Sequence, residues 1–409
     1  MVEERAAGAE ARVTEAVEAA ARAAADAVDP DEVLRFARAL IAAPSENPGG
    51  TEDEAAAVAS QILAGLAAGP RTIRSSAGRP SVVASIGSGA RPRLAWNGHL
   101  DVVPAGEAST WTSPPFAGKV VDGRLVGRGA ADMKGPIASA LAAVAATRRA
   151  SVELAGTLDL HLAADEEHTG TEGTAVLMAE GLLEQDACIV GEPSELQLGL
   201  AERGGAWVLI ESHGRAAHGS QPHRGANAIT AMARMLLRLP EVLPDVEHPL
   251  VGRPTVNAAL ISGGSARNVV PDRCVVSVDR RTIPGERSPE EVLAPFEALA
   301  ASVASEDADA DLRCRIDEWT DAAETTSDSA IARACRAAVR DETGASPADV
   351  GFTGITDARF YLNDASIPTV ILGPGSLSVA HTANESVAVD ELVAAARIYA
   401  RIFVRFLGA

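Results

Sequence analysis

The order of hydrophobic and polar residues along the chain predicts helices alternating with short buried strands. Apolar residues three and four positions apart predict helices, as where Val33, Phe36 and Leu40 share one face. Runs rich in β-branched or alternating apolar residues predict strands, as over 80–86 and 157–162. This alternation of helices and strands indicates an α/β fold.

The pattern changes near residue 204. From there to about residue 317, several predicted strands lie beside two predicted helices, which is enough for a separate α+β unit of roughly a hundred residues. We therefore expect a discontinuous catalytic domain over 1–203 and 318–409, interrupted by a smaller domain over 204–317.

Composition and charge narrow the classes of function. The chain has 409 residues, enough for two or three domains, and its formal net charge at pH 7 is −20. This acidity argues against a nucleic-acid partner or an anionic membrane, because both would repel it. The four cysteines are scattered without a C-x-x-C pair, so neither a disulfide framework nor a thiolate metal site is predicted. The first residues do not resemble a signal peptide and no apolar run could span a bilayer, so we expect a cytoplasmic protein.

The first candidate functional residues follow a predicted strand over 92–96, which leads to His99 and Asp101. Alternate residues of an extended chain point to the same side, so the imidazole and the carboxylate can meet. One ring nitrogen would then be free for a metal while Asp101 holds the other.

Acidic residues occupy comparable positions further along. The strand over 157–162 leads to Asp165-Glu-Glu167, the next buried strand leads to Glu192, and Asp132 stands just before a predicted helix. The ligand crevice of an open α/β sheet lies outside the carboxyl ends of its strands, so these residues are expected to converge there. Two alternatives stay open: Asp132 could cap its helix, and the acidic run could be a solvated loop.

This set of residues favours a particular kind of metal chemistry. Two histidines, His99 and His381, and several carboxylates without thiolates favour a divalent ion, with zinc ahead of manganese or cobalt. The number of candidate ligands suits two ions that share a bridging carboxylate and a water of lowered pKa. Glu166, beside the candidate ligand Glu167, is the acid best placed to move protons. The predicted reaction is metal-assisted hydrolysis of an amide, ester or phosphoester.

Five ordered blocks of the sequence resemble the signature motifs of the co-catalytic zinc amidohydrolases. The blocks are Gly98-His-Leu-Asp101, residues 127–135, Asp165-Glu-Glu167, Gly191-Glu-Pro193 and Ala380-His381. That family includes acetylornithine deacetylase, succinyl-diaminopimelate desuccinylase, aminoacylase and carboxypeptidase G. The resemblance implies a zinc-aminopeptidase-like catalytic domain, with a mixed sheet flanked by helices, that is interrupted by a lid domain which often dimerises. One departure is Pro136, which stands where a second glycine is usual.

The resemblance also implies roles for individual residues of the catalytic domain. Glu166 would be the general acid/base, and Asp101 would orient His99. The ions would be held on one side by His99, Asp132 and Glu192, and on the other by Asp132, Glu167 and His381, with Asp132 bridging.

Some positions of the smaller domain carry implied roles too. His218 would stabilise the oxyanion, often across the dimer. Asn268 and Arg281 would hold the carboxylate of the substrate, which suits the planar guanidinium, and Thr356 is implied for the same subsite. Arg280 is the alternative to Arg281, although neighbouring side chains on a strand face opposite sides.

These residues together predict an enzyme that cleaves the amide bond of an N-acyl amino acid. Glu166 would take a proton from a metal-bridging hydroxide as it attacks the carbonyl, and would deliver it to the leaving amine. A dipeptidase or carboxypeptidase with the same chemistry is an alternative. A non-catalytic metal-binding relative is a third, against which the intact Glu166 argues. The expected partners are a small N-acyl amino acid or dipeptide and a second copy of this chain.

Overall fold

The computed structural model describes residues 15–409, and its helices follow the predicted amphipathic segments. The α-helices of this part of the chain are α1 (15–26), α2 (Pro30–Ile41), α3 (Asp53–Gly65), α4 (Lys134–Arg149), α5 (Thr174–Ala179), α6 (Ala228–Leu237), α7 (Pro289–Glu306), α8 (Ala330–Thr343) and α9 (Val389–Leu407). Among these helices, none is both long enough and apolar enough to cross a membrane.

The strands are short, and most of them lie where β-branched runs predict them. They are β1 (Arg71–Arg74), β2 (Pro80–Gly87), β3 (Arg93–His99), β4 (Lys119–Val121), β5 (Arg124–Val126), β6 (Thr157–Ala163), β7 (Ala187–Val190), β8 (Leu198–Glu202), β9 (Gly204–His213), β10 (Thr255–Gly263), β11 (Arg273–Thr282), β12 (Asp311–Thr320), β13 (Ala323–Glu324), β14 (Asp349–Phe352), β15 (Thr369–Ile371) and β16 (Ser386–Ala388).

Local sequence explains where two of the helices begin. At the start of α2, the Asp29 carboxylate accepts a hydrogen bond from the backbone N–H of Asp31 at 3.0 Å, and Pro30 occupies the first turn. At the start of α7, the Ser288 hydroxyl accepts from the backbone N–H of Glu291 at 3.2 Å. Each cap satisfies a donor that the helix itself leaves without a partner.

The described chain divides into two compact units. The first contains residues up to Leu200, Thr325–Val350 and Thr356–Ala409, and the second contains Ala201–Glu324 and Gly351–Ile355. The second unit thus extends beyond the expected 204–317 at both ends and takes in a short segment that the sequence had suggested for the first domain. Whether this unit is a lid that dimerises stays a prediction.

The first unit is built on a mixed sheet in which the strands follow the order β1-β2-β6-β3-β7-β15-β8. β3 is parallel to both β6 and β7, and β15 is parallel to β7. In the register of these pairs, His99 lies opposite Ala163, while Asn97 and Ile371 both lie opposite Val190. The carboxyl ends of β3, β6, β7 and β15 therefore meet at one edge of the sheet.

Helices cover this sheet and form its core. Every residue of α4 from 134 to 147 is buried, and α4 packs against α2, α9 and β3. β6 and β7 are buried along their whole length, which is typical of strands covered on both faces. The predicted α/β class, with a mixed sheet flanked by helices, is confirmed.

The second unit is a four-stranded antiparallel sheet in the order β10-β11-β9-β12, with α6 and α7 packed against it. β9 and β11 alternate between buried and partly exposed positions, as expected for a sheet with one covered face. Met232 and Phe296 of the two helices are fully buried against Val208 and Val276 of the strands. This unit therefore has its own hydrophobic core.

Candidate metal centre

Polar side chains gather beyond the carboxyl ends of the parallel strands in the first unit. His99 is the last residue of β3, the acidic run Asp165-Glu-Glu167 follows β6, and Glu192 follows β7. Asp132 lies just before α4. The strand-end rule thus brings together side chains that are far apart in the sequence.

The buried His99 ring contacts several carboxylates through one nitrogen. Its Nε2 lies 3.0 Å from Asp132 Oδ1, 3.4 Å from Glu192 Oε1 and 3.8 Å from Glu166 Oε2. Its other nitrogen, Nδ1, donates to the backbone carbonyl of Asp101 at 2.9 Å. That bond fixes the ring so that Nε2 faces the carboxylates.

His381 approaches the same cluster from another segment. Its Nε2 lies 3.0 Å from Glu167 Oε2 and 3.2 Å from Asp132 Oδ2, and its side chain is about half exposed. The two oxygens of Asp132 therefore face the two histidines, one each. This is the arrangement expected of a carboxylate that bridges two cations.

The charges of the cluster fit divalent cations. Asp132 and Glu192 are buried, and the side chains of Glu166 and Glu167 are nearly so. These four carboxylates face only two imidazoles in the described cluster, and like charges removed from water need compensation. Glu167 Oε1 is buried and, within residues 15–409, has no hydrogen-bond partner. Two sets of three possible ligand atoms lie within 4.8 Å of one another: His99 with Glu166 and Glu192, and His99 with Asp132 and Glu167. An orphaned carboxylate oxygen beside a histidine–carboxylate cluster is suited to a hard or borderline metal ion.

The crowding of carboxylates away from water also shifts the pKa values of the cluster. Burial raises the pKa of Glu192 to about 7, with a further contribution from Asp132. Burial also raises the pKa of Glu166 well above its usual range, despite the opposing effect of His99. Hydrogen bonds to Asp132 and Glu167 raise the pKa of His381 to about 10. The residues therefore retain protons that a cation would have to displace.

The Asp101 carboxylate lies beside the His99 ring, and its role in orienting that ring stays a prediction. The distance from His99 Nδ1 to the carboxylate oxygen Oδ1 is 3.5 Å, longer than the distance to the backbone carbonyl of Asp101. The carboxylate also accepts the backbone N–H groups of Glu166 at 3.2 Å and Glu167 at 3.1 Å. Asp101 thus joins the His99 segment to the acidic run.

We expect Asp101→Ala to lower turnover by about 10–100-fold, the range typical of residues that support metal ligands, while most of the metal is retained. The reason is that the backbone of Glu166 loses its acceptor, whereas the backbone carbonyl that holds His99 remains. Steady-state kinetics and elemental analysis of the same sample measure both quantities. Asp101→Asn, which keeps one acceptor oxygen, serves as the matched control and should lose less. A fall in metal content that matches the fall in turnover would contradict this role.

Two supporting residues of this region are absent from the sequence-based predictions. The buried Asn47 side chain donates to Asp101 Oδ2 at 2.9 Å and to Asp165 Oδ1 at 3.1 Å. Glu385 accepts backbone N–H groups beside Asp132. For Glu385 the signal in the sequence is its closeness to His381. Asn47 lies in a predicted loop, which gives no indication of its contacts.

The predicted residues His218 and Asn268 belong to the second unit. His218 is exposed and its Nδ1 lies 2.7 Å from the hydroxyl of Ser220. The backbone carbonyl of Asn268 accepts from the N–H of Gly219 at 2.7 Å, next to His218 in the chain. Their proposed contacts with substrate stay predictions.

Arg281 and its alternative, Arg280, differ sharply in environment. Arg280 is buried and paired with Glu286. Arg281 is partly exposed, lies 3.0 Å from Asp279 through Nε, and stands over the Trp207 ring at 6.0 Å. The accessible guanidinium is therefore that of Arg281, whose role stays a prediction.

Thr356 lies in the first unit and is fully buried. Its hydroxyl accepts from the backbone N–H of Ala358 at 3.0 Å, and its carbonyl accepts from the Arg359 guanidinium at 2.6 Å. These bonds are those of a tight turn, so its assignment to the substrate subsite stays a prediction.

The chain belongs to peptidase family M20/M25/M40, whose sequence model matches residues 95–405. The family resemblance predicted from the five motifs is therefore confirmed, and with it the expectation of an amide-cleaving hydrolase.

Individual proteins agree with this membership. A succinyl-diaminopimelate desuccinylase of Phenylobacterium zucineum (strain HLK1) is 32% identical over 386 residues, which cover 92% of this chain and 99% of the relative. An acetylornithine deacetylase of Myxococcus xanthus is 33% identical over 331 residues, which cover 79% and 82% of the two chains. The crystal structure of the Bacillus subtilis YXEP protein, a dinuclear metal binding peptidase from the M20 family, is similar with a TM-score of 0.68 at 18% identity, covering 92% of this chain and 98% of that one.

Proposed function

We propose that this protein hydrolyses the amide bond between an acyl group and the nitrogen of an amino acid. The observation that carries the proposal is the cluster in which the two oxygens of the buried Asp132 face His99 and His381. The substrate class is supported by relatives named succinyl-diaminopimelate desuccinylase and acetylornithine deacetylase. A dipeptidase could use the same cluster, so substrate preference is what distinguishes an N-acyl amino acid hydrolase from a dipeptidase.

The proposal includes two divalent cations, with zinc first and cobalt or manganese as alternatives. His99, Asp132 and Glu192 would hold one, and Asp132, Glu167 and His381 the other. When bound, such cations act as Lewis acids that lower the pKa of water and polarise a carbonyl oxygen. The orphaned Glu167 oxygen and the dinuclear site named for the YXEP protein support this assignment.

Glu166 is the residue that we assign to proton transfer. Although Glu166 belongs to one of the two candidate ligand sets, its oxygen is the most distant of the three carboxylates around His99 Nε2. In this assignment Glu166 removes a proton from the attacking water as the water oxygen bonds to the acyl carbon. It gives that proton to the amino nitrogen as the carbon–nitrogen bond breaks. Its burial and raised pKa favour holding the proton between these two steps.

We expect cation binding to release protons, and more of them at lower pH. His381, with a pKa of about 10, is protonated at about pH 8, and Glu192, with a pKa of about 7, joins it at about pH 6. Although burial opposes the shift, hydrogen bonds to neighbouring carboxylates also raise the pKa of His99, so it too holds a proton that a cation displaces. Because cations bind the deprotonated groups, the two ions together should release more protons at about pH 6 than at about pH 8, and Zn²⁺ affinity should weaken as the pH is lowered. Calorimetric titration with Zn²⁺ in buffers of different ionisation enthalpy counts the protons. A proton count near zero at about pH 6 would contradict this assignment.

A hydrolysis screen of the purified, metal-loaded protein tests the proposed function. The panel comprises acetylornithine, succinyl-diaminopimelate, simple N-acyl amino acids, carbamoyl compounds and dipeptides. We expect at least one N-acyl amino acid to be cleaved with a higher kcat/KM than any dipeptide. Preferential cleavage of dipeptides would favour the alternative function, and failure on every amide would overturn the proposal.

We also propose that the second unit is a lid that pairs with the lid of a second copy, and that the protein is cytoplasmic. In this proposal His218 stabilises the oxyanion, and Asn268, Arg281 and Thr356 bind the substrate carboxylate. The support is the likeness of these positions to family motifs, together with the accessible Arg281 guanidinium. A monomeric mass at concentrations where the enzyme is active would contradict the dimer.

A further inference from the structure

The buried Glu385 carboxylate makes three hydrogen bonds beside the proposed bridging ligand. One oxygen, Oε1, accepts the backbone N–H groups of Ala131 at 2.8 Å and Asp132 at 3.0 Å. The other, Oε2, accepts from Arg128 Nη1 at 2.6 Å. Glu385 and Arg128 are both almost completely buried. Because Glu385 accepts a hydrogen bond from the backbone N–H of Asp132, it constrains the position of the Asp132 backbone from which the side chain extends.

The same residue is also tied to the segment that carries His381. Glu385 lies at the end of that segment, directly before β16, which pairs with β5 through Ser386 and Val126. The backbone carbonyl of Glu385 accepts the N–H of Gly127 at 2.9 Å. The main chain and the side chain of Glu385 therefore both hydrogen-bond the His381 segment to residues 127–132.

Arg128 extends this connection to a third segment. Its Nη2 donates to the carbonyl of Pro104 at 3.3 Å, and its guanidinium lies 5.4 Å from the Trp111 ring centre. Pro104 closely follows His99 and Asp101 in the chain. The ion pair of Arg128 and Glu385 thus joins the segments that supply His99, Asp132 and His381.

We propose that Glu385 is a positioning residue that fixes Asp132 and His381 relative to each other, so that they bind a cation as one preformed site. Both Glu385 oxygens are occupied by protein donors, so Glu385 acts through Asp132 and does not itself contact the cation or substrate. The inference rests on the cation-binding part of the proposed function. Supporting groups around metal ligands commonly contribute 10–100-fold in affinity.

The test is Zn²⁺ binding to the metal-free protein, measured by calorimetry and requiring no substrate. The protein is expected to bind two Zn²⁺ ions in two steps. Glu385→Ala is expected to weaken at least one of these binding steps by about 10–100-fold. Glu385→Gln should lose less, because its amide oxygen can still accept the Asp132 N–H. Asp159→Asn is the matched control: it breaks another buried carboxylate–arginine pair, with Arg93, and should bind Zn²⁺ like the wild type.

The outcomes separate positioning from a purely structural role. Folding of each variant is checked by circular dichroism, and if Glu385→Ala does not fold, Glu385→Gln and Arg128→Lys provide the comparison. Folded variants that bind Zn²⁺ within about twofold of the wild type, or no more weakly than Asp159→Asn, would overturn the inference. A wild-type protein that binds no Zn²⁺ would overturn the proposed function together with it. A wild type that binds Zn²⁺ but cleaves no amide would overturn the proposed function alone.

Discussion

Glu166→Gln is expected to lower kcat for amide hydrolysis by at least about 10²–10⁴-fold while the metal content stays that of the wild type. Glutamine has nearly the same shape, and its backbone N–H can still donate to Asp101, so the surroundings should persist. The amide cannot take a proton from water, however, and none can then be passed to the leaving nitrogen. Steady-state kinetics and elemental analysis of one preparation provide the two measurements.

A matched control comes from the same segment of the chain. Glu172 is partly exposed, and its Oε2 accepts the backbone N–H of Ala77 at 3.3 Å. It lies outside the candidate ligand sets, so Glu172→Gln should retain wild-type turnover. Retained turnover in Glu166→Gln, with the full metal content, would exclude Glu166 as the proton-transfer group. It would require another base for the reaction.

Asp132→Asn is expected to weaken both cation-binding steps, by more than the roughly 100-fold upper range for supporting residues. The reason is that each Asp132 oxygen faces a different histidine, so one substitution alters both sides of the cluster. In the proposed division of ligands, Glu192→Gln and Glu167→Gln each alter one side only. Calorimetry with Zn²⁺ should therefore show two weakened steps in the first variant and one in each of the others.

Which Zn²⁺-binding steps each variant weakens shows how the ligands are divided between the two cations. If Asp132→Asn weakens one step only, Asp132 does not bridge. If Glu192→Gln weakens both steps as strongly as Asp132→Asn, the division of ligands between His99 and His381 is wrong. Turnover should follow cation occupancy in all of them, because general acid–base residues are unchanged.

The sequence predicted the convergence of the cluster because one geometric rule governs it. Parallel strands end at the same edge of a sheet, and the register places His99 opposite Ala163 and Asn97 opposite Val190. Whatever follows those strands must lie close together. This explains why the positions after β3, β6 and β7 could be recognised from hydrophobic pattern and residue type alone.

The supporting contacts could not be predicted in the same way. Asp165 and His381 both adopt left-handed backbone conformations, with φ of 63° and 61°, which turn the chain locally and redirect neighbouring N–H groups. The Asp101 carboxylate therefore accepts hydrogen bonds from the backbone of the acidic run, in addition to lying beside the His99 ring as strand alternation predicts. Asn47 and Glu385 act on segments far away in sequence, and hydrophobic periodicity carries no information about such pairs.

Cation-dependent amide hydrolysis is tested most directly by titrating chelator-treated protein with Zn²⁺ while the release of amine from an N-acyl amino acid is followed. The substrate is the best one found in the screen. We predict no turnover above the Glu166→Gln background without metal, and turnover that rises with Zn²⁺ until the site is filled. Full turnover by the metal-free protein would show that amide hydrolysis does not depend on the cation site.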